Sequence, residues 1–300
     1  LAIGDRIFRD LQTGDYVLYN RQPSLLPSSI SGMRVVITMD PEILTFRMNV
    51  IACPFFNADF DGDQMNIYGG RSLACRMEIK RHSGIQNWFI KHASSAPMIG
   101  QADDSIIGLY MLTRNHVKFN KYNAMQLFST CTWLPSFTKS PTDTYSCYDI
   151  ISMHFSDTPI NFTRTPTYYN ANLISLVDYD PSDIKVVIER GVHKSGVLDK
   201  KSVGKGAING INHLICSEYG ENKALDSIYN MQQLALNYMH IHGFSIGILD
   251  IIVSDKALDE IHKIESSLID KSLFITERLN DGKIIPPVGK TTEQFYEEEQ

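Results

Sequence analysis

Three aspartates fall within five residues, at Asp59, Asp61 and Asp63, inside the run Asn57-Ala-Asp-Phe-Asp-Gly-Asp-Gln-Met-Asn66. Carboxylates at alternate positions share one face of an extended segment, and Gly62 lets the backbone bend so that they converge. Ionised groups this close repel one another strongly unless a cation sits among them. Mg²⁺ suits such a bend, because it takes oxygen ligands and keeps positions open for waters and substrate phosphates. The alternative is a solvated acidic turn.

Two known metal loops bear on the choice. A calcium hand needs glycine at loop position six and a carboxylate at position twelve. Counted from Asp59, those positions hold Gln64 and Gly70. Haloacid-dehalogenase-like phosphohydrolases begin D-x-D-x-T/V directly after an apolar strand. Here the fifth position is Asp63, and Asn57-Ala58 interrupts the apolar approach. That class stays open as an alternative, with Asp59 as its nucleophile.

The rest of the chain bounds the setting. Its 300 residues are enough for two ordinary domains, and 43% apolar with 21% charged residues is the balance of a chain that buries cores. Leu1 to Asp10 carries charges where a signal peptide needs an apolar run, and no stretch approaches the length of a membrane span. A soluble, intracellular protein with no membrane association is expected. The five cysteines include no C-x-x-C pair, which argues against a disulfide framework or zinc ribbon. The net charge of -6 argues against a free-standing nucleic-acid binder. The average hides an asymmetry, because residues 1–100 hold 10 Lys and Arg against 9 Asp and Glu, three of them in the acidic cluster.

Short β-rich runs open the chain, at Tyr16 to Asn20, Met33 to Thr38 and Leu44 to Ala52, separated by Pro, Gly, Ser and Asn. They predict a compact β barrel or sandwich. Helices are expected over Ser72 to His82 and Asp103 to Leu112, whereas residues 114–182 read as scattered strands and turns. Asp178 through Leu198 predicts a hairpin turning at Gly191. Leu225, Ile228, Met231, Leu234, Ala235 and Tyr238 recur at helical spacing, with Gly243 as the stop. Asp255 to Leu279 predicts an amphipathic surface helix behind Ser254. Thr291 with Gln294 resembles a capping box, so a further helix is expected to start there, and the ends read as those of an excerpt from a longer polypeptide.

The seven residues Asn57 to Asp63, NADFDGD, resemble the active-site motif of the largest subunit of multisubunit DNA-directed RNA polymerases, called β′ in bacteria. The resemblance continues in order. Gly14 to Leu25 resembles the family's GD-x-V-L-x-NRQPSL segment, Pro97-Met-Ile-Gly100 its P-V-M-G, Lys200-Lys-Ser-Val-Gly204 its K-K-S-L-G, and Gly243-Phe-Ser-Ile-Gly247 its G-H-S-I-G. Leu26-Pro27, Ala96 and Phe244 depart from the family pattern without touching the aspartates. Eukaryote-like segments combined with such divergence suggest a large DNA virus as the source.

The resemblance implies an α+β fold: a double-psi β-barrel active-site region over residues 1–80, a pore region over 81–250, and the beginning of the funnel helices over 251–300. It implies the catalytic-centre part of a DNA-dependent RNA polymerase, joining an NTP to the RNA 3′ end on a DNA template. Such a part would be active only when assembled with the second-largest subunit and other polymerase subunits, around DNA template, RNA transcript and NTPs. Asp59, Asp61 and Asp63 are the implied catalytic residues and metal ligands, holding one Mg²⁺ of a two-metal mechanism while the other arrives with the NTP. Arg21 and Asn57 correspond to family residues near the ribose hydroxyls, and Gln22 and Pro23 shape the same wall. Read from the residues alone, Lys200, Lys201 and Lys205 with nearby glycines lack the phosphate-loop pattern, and lining a channel stays open for them. The implied location is cytoplasm or virion for a virus, otherwise nucleus or nucleoid. The alternatives are the phosphohydrolase above and a noncatalytic nucleic-acid-binding relative.

Overall fold

The computed structural model describes residues 3–5, 9–140, 142–167, 169, 180–283 and 285–299. Strand β1 (Tyr16–Asn20) is the centre of an antiparallel sheet, with β2 (Ile30–Arg34) on one side and β3 (Asn66–Gly69) on the other. Asn20 faces Ile30 in one ladder and Asn66 in the other. Val17 and Tyr19 point to one face and are buried, as the period-two geometry of a strand requires. On this sheet packs α2 (Leu73–His82), whose cap Ser72 accepts the Cys75 N–H at 3.1 Å. The approach is close enough to need Gly32, where a Cβ would stand 2.6 Å from the Ile79 carbonyl oxygen.

Two of the expected strands change. The run Leu44 to Ala52 does not form a strand. Instead the Asn49 side chain accepts the Ile51 N–H at 2.9 Å and starts a 3-10 turn, Val50–Ala52, that leads into the single-turn helix α1 (Cys53–Phe56). Pro54 has no N–H for a strand ladder, and the helical spacing buries Ile51, Ala52, Phe55 and Phe56 together. The run Met33 to Thr38 belongs to a strand only as far as Arg34. With three strands the sheet stays open, so among the described residues there is no closed barrel, and the fold stands as mixed α+β.

The remaining elements are α3 (Asp104–Leu112), β4 (Lys118–Phe119), α4 (Lys121–Leu127), β5 (Tyr145–Ser146), α5 (Cys147–His154), β6 (Phe162–Arg164), β7 (Val186–Glu189), β8 (Val192–Ser195), α6 (Lys200–Val203), α7 (Ile211–Tyr219) and α8 (Glu221–His242). Strands β4 and β5 pair with each other, and β6, β7 and β8 form a second three-stranded antiparallel sheet. The expected hairpin is β7–β8, turning at Arg190 and Gly191; its expected start at Asp178 lies outside the described residues. Helices α4 and α5 lie in the stretch expected to hold only scattered strands and turns.

The long helix α8 is the spine of this unit. Ile228, Met231, Leu234, Ala235 and Tyr238 are buried on the face their spacing predicts. Gly108 of α3 meets α8 so closely that a Cβ would lie 2.7 Å from the Ala235 carbonyl oxygen. Asn49 Nδ2 donates to Gln232 Oε1 at 2.7 Å, which ties the segment before α1 to the same helix. One core therefore runs from Tyr19 through Phe55, Phe56, Leu109 and Ile151 to Tyr238.

Residues 244–300 belong to a second compact unit. It contains α9 (Asp255–Asn280), capped by Ser254, and α10 (Thr292–Glu299), where Thr291 and Gln294 exchange the reciprocal bonds of a capping box. Thr276 Oγ1 and Tyr296 OH meet at 3.0 Å between the two helices. The apolar face of α9, with Ile264 and Leu268, is exposed. Among the described residues no helix is long and apolar enough to cross a membrane.

Burial in the first unit has a titration consequence. His154 lies in the core with its ring Nε2 3.0 Å from Ser227 Oγ, and desolvation holds its pKa at about 4. His193, edge-on to Tyr148, is lowered to about 4 by the same cause. An unfolded imidazole takes its proton near pH 6.5, well before the folded one, so stability falls as the pH drops from 6.5 towards 4. Urea unfolding should show this decline, and His154→Gln should make its slope shallower. An unchanged slope would mean that His154 is not buried as a neutral ring.

Candidate functional site

The acidic run is held at both ends by buried structure. Upstream, Phe55 and Phe56 are almost fully buried, Phe56 meets Tyr19 edge-on at 5.3 Å, and Ser28 Oγ donates to the Phe55 carbonyl at 2.9 Å. Asn57 then ends α1 in the left-handed conformation, φ 48°, and the backbone leaves the helix at that point. Downstream, β3 pairs with β1. Between these anchors Gly62 adopts φ +120°, which a residue with a Cβ rarely reaches.

This arrangement brings the three aspartates together: one carboxylate oxygen from each of Asp59, Asp61 and Asp63 lies within 4.8 Å of the others. Asn20 and Asn66 are ladder partners, so Arg21, next after Asn20, comes beside Asp63, three residues before Asn66. Arg21 Nε donates to Asp63 Oδ2 at 2.6 Å and Nη2 to Oδ1 at 2.8 Å, a two-pronged ion pair. The Asp59 N–H also donates to Asp63 Oδ2, at 3.0 Å. Gln22 and Pro23 sit exposed in the same turn, which Ser24 braces by donating to Asn20 Oδ1 at 2.7 Å.

The carboxylates are electrostatically unlike. Asp63 is held below its ordinary range, first by the hydrogen bonds from Arg21 and then by that from the Asp59 backbone. Asp59 is pushed above it, first by its hydrogen bond with Asp61, then by desolvation and the charges of Asp61 and Asp63. The donor set is oxygen throughout, which fits a hard divalent cation better than a soft one.

Beside the aspartates lies a cavity of about 350 Å³ whose wall includes Asn57, Asp59, Gln101, Asp103, Lys200 and Lys205. Its far side is built from two segments that lock together, with Gln101 N–H donating to the Val203 carbonyl at 2.9 Å and Gly206 N–H to the Pro97 carbonyl at 3.0 Å. A Cβ on Gly100 would lie 2.5 Å from Gly204. Two motifs a hundred residues apart in the sequence thus form one wall, and Lys200 and Lys205 of the second line the cavity with Asp59, whereas Lys201 is not part of that lining. Sequence reasoning missed Gln101 and Asp103. Gln101 is fully buried, and its Oε1 accepts no hydrogen bond from the described residues. Asp103, with φ 48°, stands at the N-cap position of α3 without a side-chain hydrogen bond to the helix. Arg34 and Arg47 line an apolar groove of about 810 Å³ on the open sheet.

A mixed α+β chain that gathers three carboxylates beside cationic side chains has the means to hold a divalent cation next to an anionic substrate. Comparison with known proteins identifies which such chain this is. A family described as RNA polymerase Rpb1, domain 2 matches residues 1–84, and one described as RNA polymerase Rpb1, domain 3 matches residues 88–251. The chain belongs to the Rpb1 family of RNA polymerase largest subunits. It is 43% identical over 307 residues to the DNA-directed RNA polymerase RPB1 homolog of African swine fever virus (strain Badajoz 1971 Vero-adapted), covering 100% of this chain and 21% of that protein. It is 29% identical over 313 residues to the human DNA-directed RNA polymerase III subunit RPC1, covering 99% of this chain and 22% of the relative. The chain thus spans about a fifth of the length of these relatives. The higher identity to the viral protein fits the origin expected from the divergent segments.

The unequal carboxylates can be titrated. With divalent cations chelated, carboxyl carbon resonances should show Asp59 taking up its proton above the ordinary value of 3.8 as the pH falls and Asp63 below it. The reverse order would mean that Arg21 does not pair with Asp63.

Proposed function

We propose that this chain is the catalytic-centre part of a DNA-dependent RNA polymerase, working in transcription by transferring a nucleotidyl group from an NTP to the RNA 3′ end. The observation that carries the reading is the convergence of Asp59, Asp61 and Asp63 beside Arg21 and beside the cavity of Asn57, Lys200 and Lys205. Asp59, Asp61 and Asp63 would hold Mg²⁺. When bound there, Mg²⁺ supplies Lewis-acid polarisation of the reacting oxygens and neutralises phosphate charge.

The chain's own residues do the positioning. Gly62 lets the three carboxylates face one point. Arg21 and Asn57 offer donors to the ribose hydroxyls, and a hydroxyl-specific donor left unpaired by a deoxyribonucleotide costs about 1 to 3 kcal/mol, which is a basis for choosing ribonucleotides. Gln22 and Pro23 form the wall behind Arg21. Lys200 and Lys205 supply positive charge for the triphosphate on the cavity side, where they attract it and hold it in line.

On this reading residues 1–80 are the active-site region of a double-psi β-barrel, the open sheet being the part of it that this chain supplies. Residues 81–250 are the pore region and 251–300 the beginning of the funnel helices. The partners are the second-largest subunit and other polymerase subunits, with DNA template, RNA transcript and NTPs as ligands. The location is intracellular, cytoplasm or virion for a virus. The phosphohydrolase reading loses support from the approach to Asp59, which is a helix ending in a left-handed Asn57 rather than an apolar strand.

The test is primer extension by the assembled parent polymerase on an RNA:DNA scaffold across a Mg²⁺ series. Asp61→Ala should reduce extension by at least 100-fold, roughly the loss expected when a group stabilising transition-state charge is removed. Equal extension by wild type and variant would sink the assignment.

A further inference from the structure

We propose that Arg21 and the divalent cation compete for Asp63, so that cation binding releases Arg21 for the nucleotide; this rests on the metal and nucleotide reading above. Asp63 is the only one of the three aspartates paired with a cationic side chain among the described residues. Both of its oxygens are engaged: Oδ1 accepts from Arg21 Nη2, and Oδ2 accepts from both Arg21 Nε and the Asp59 N–H. Two bonds use the lone pairs of Oδ2, and one lone pair remains on Oδ1. The pair is about four-fifths buried, at 20% and 19% side-chain exposure, so water screens it incompletely.

A cation ligated by all three carboxylates would therefore have a guanidinium on one of its ligands, within a few ångströms and of the same sign. Asp59 and Asp61 are exposed and free of such a partner, so they are the ligands an arriving cation meets first. Drawing in Asp63 weakens the Arg21 pair. The released guanidinium has five donors and no carboxylate fork to satisfy them, and on the nucleotide reading above the ribose and phosphate oxygens of a bound nucleotide take its place once the cation neutralises the aspartates around it. The nucleotide then stabilises the state in which the cation owns Asp63. By linkage the cation raises nucleotide affinity by the same factor that the nucleotide raises cation affinity.

A residue that merely holds Asp63 in place would give the opposite sign, and the difference can be read without turnover. Mn²⁺ binding to the assembled polymerase, without nucleotide, is measured by the paramagnetic resonance of free Mn²⁺ for wild type, Arg21→Ala, Arg21→Lys and Asp61→Ala. Arg21→Ala should bind Mn²⁺ roughly five- to tenfold more tightly, with Arg21→Lys in between because an ammonium makes a weaker, single-pronged pair. The same Arg21→Ala enzyme should show a raised KM for NTP. Unchanged or weaker Mn²⁺ binding by Arg21→Ala overturns the competition. Failure of the underlying metal reading looks different, because Asp61→Ala would then bind Mn²⁺ as wild type does.

Discussion

The repulsion among three carboxylates within five residues is the constraint from which the rest of the site follows. A segment carrying that charge cannot hold itself in a converged shape, and its geometry has to be imposed from outside. Two anchors impose it: a pair of buried phenylalanines immediately before the loop and the β1–β3 ladder immediately after it. The same ladder delivers Arg21 to Asp63, so the strand register that fixes the loop also brings in a positive charge that pairs with it. Local charge, strand pairing and core packing are a single arrangement here.

What the sequence made legible was what depends on near neighbours. The aspartates, their glycine bend and the Asn20-Arg-Gln-Pro segment are contiguous signals, and the helices α8 and α9 declare themselves by apolar residues at helical spacing over many turns. The run Leu44 to Ala52 misled because β-rich composition does not reveal that Asn49 caps a turn and that Pro54 favours a helix start. Helices α4 and α5 were hidden for a related reason. Each is only two turns long and is stabilised by burial of residues such as Ala124, Leu127, Ile150 and Ile151, so local periodicity is too brief to be read.

The wall of the cavity was the least legible part. Lys200 and Lys205 carry no motif in the sequence that ties them to the aspartates, and Asp103 looks like an ordinary helix start. Their relation to Asp59 exists only because segments about a hundred residues apart are joined through backbone hydrogen bonds, and no pattern within a short window carries that information.

That joint has a consequence for how such a chain can vary. Gly100 and Gly204 pass so close that neither segment has room to shift, and across the crossing Gln101 N–H donates to the Val203 carbonyl and Gly206 N–H to the Pro97 carbonyl. The two segments therefore behave as one inheritable part although they are written far apart. A hybrid polymerase that took residues 97–101 from one relative and residues 200–206 from another would combine halves of a fitted joint, and length changes in one half would have to be matched in the other.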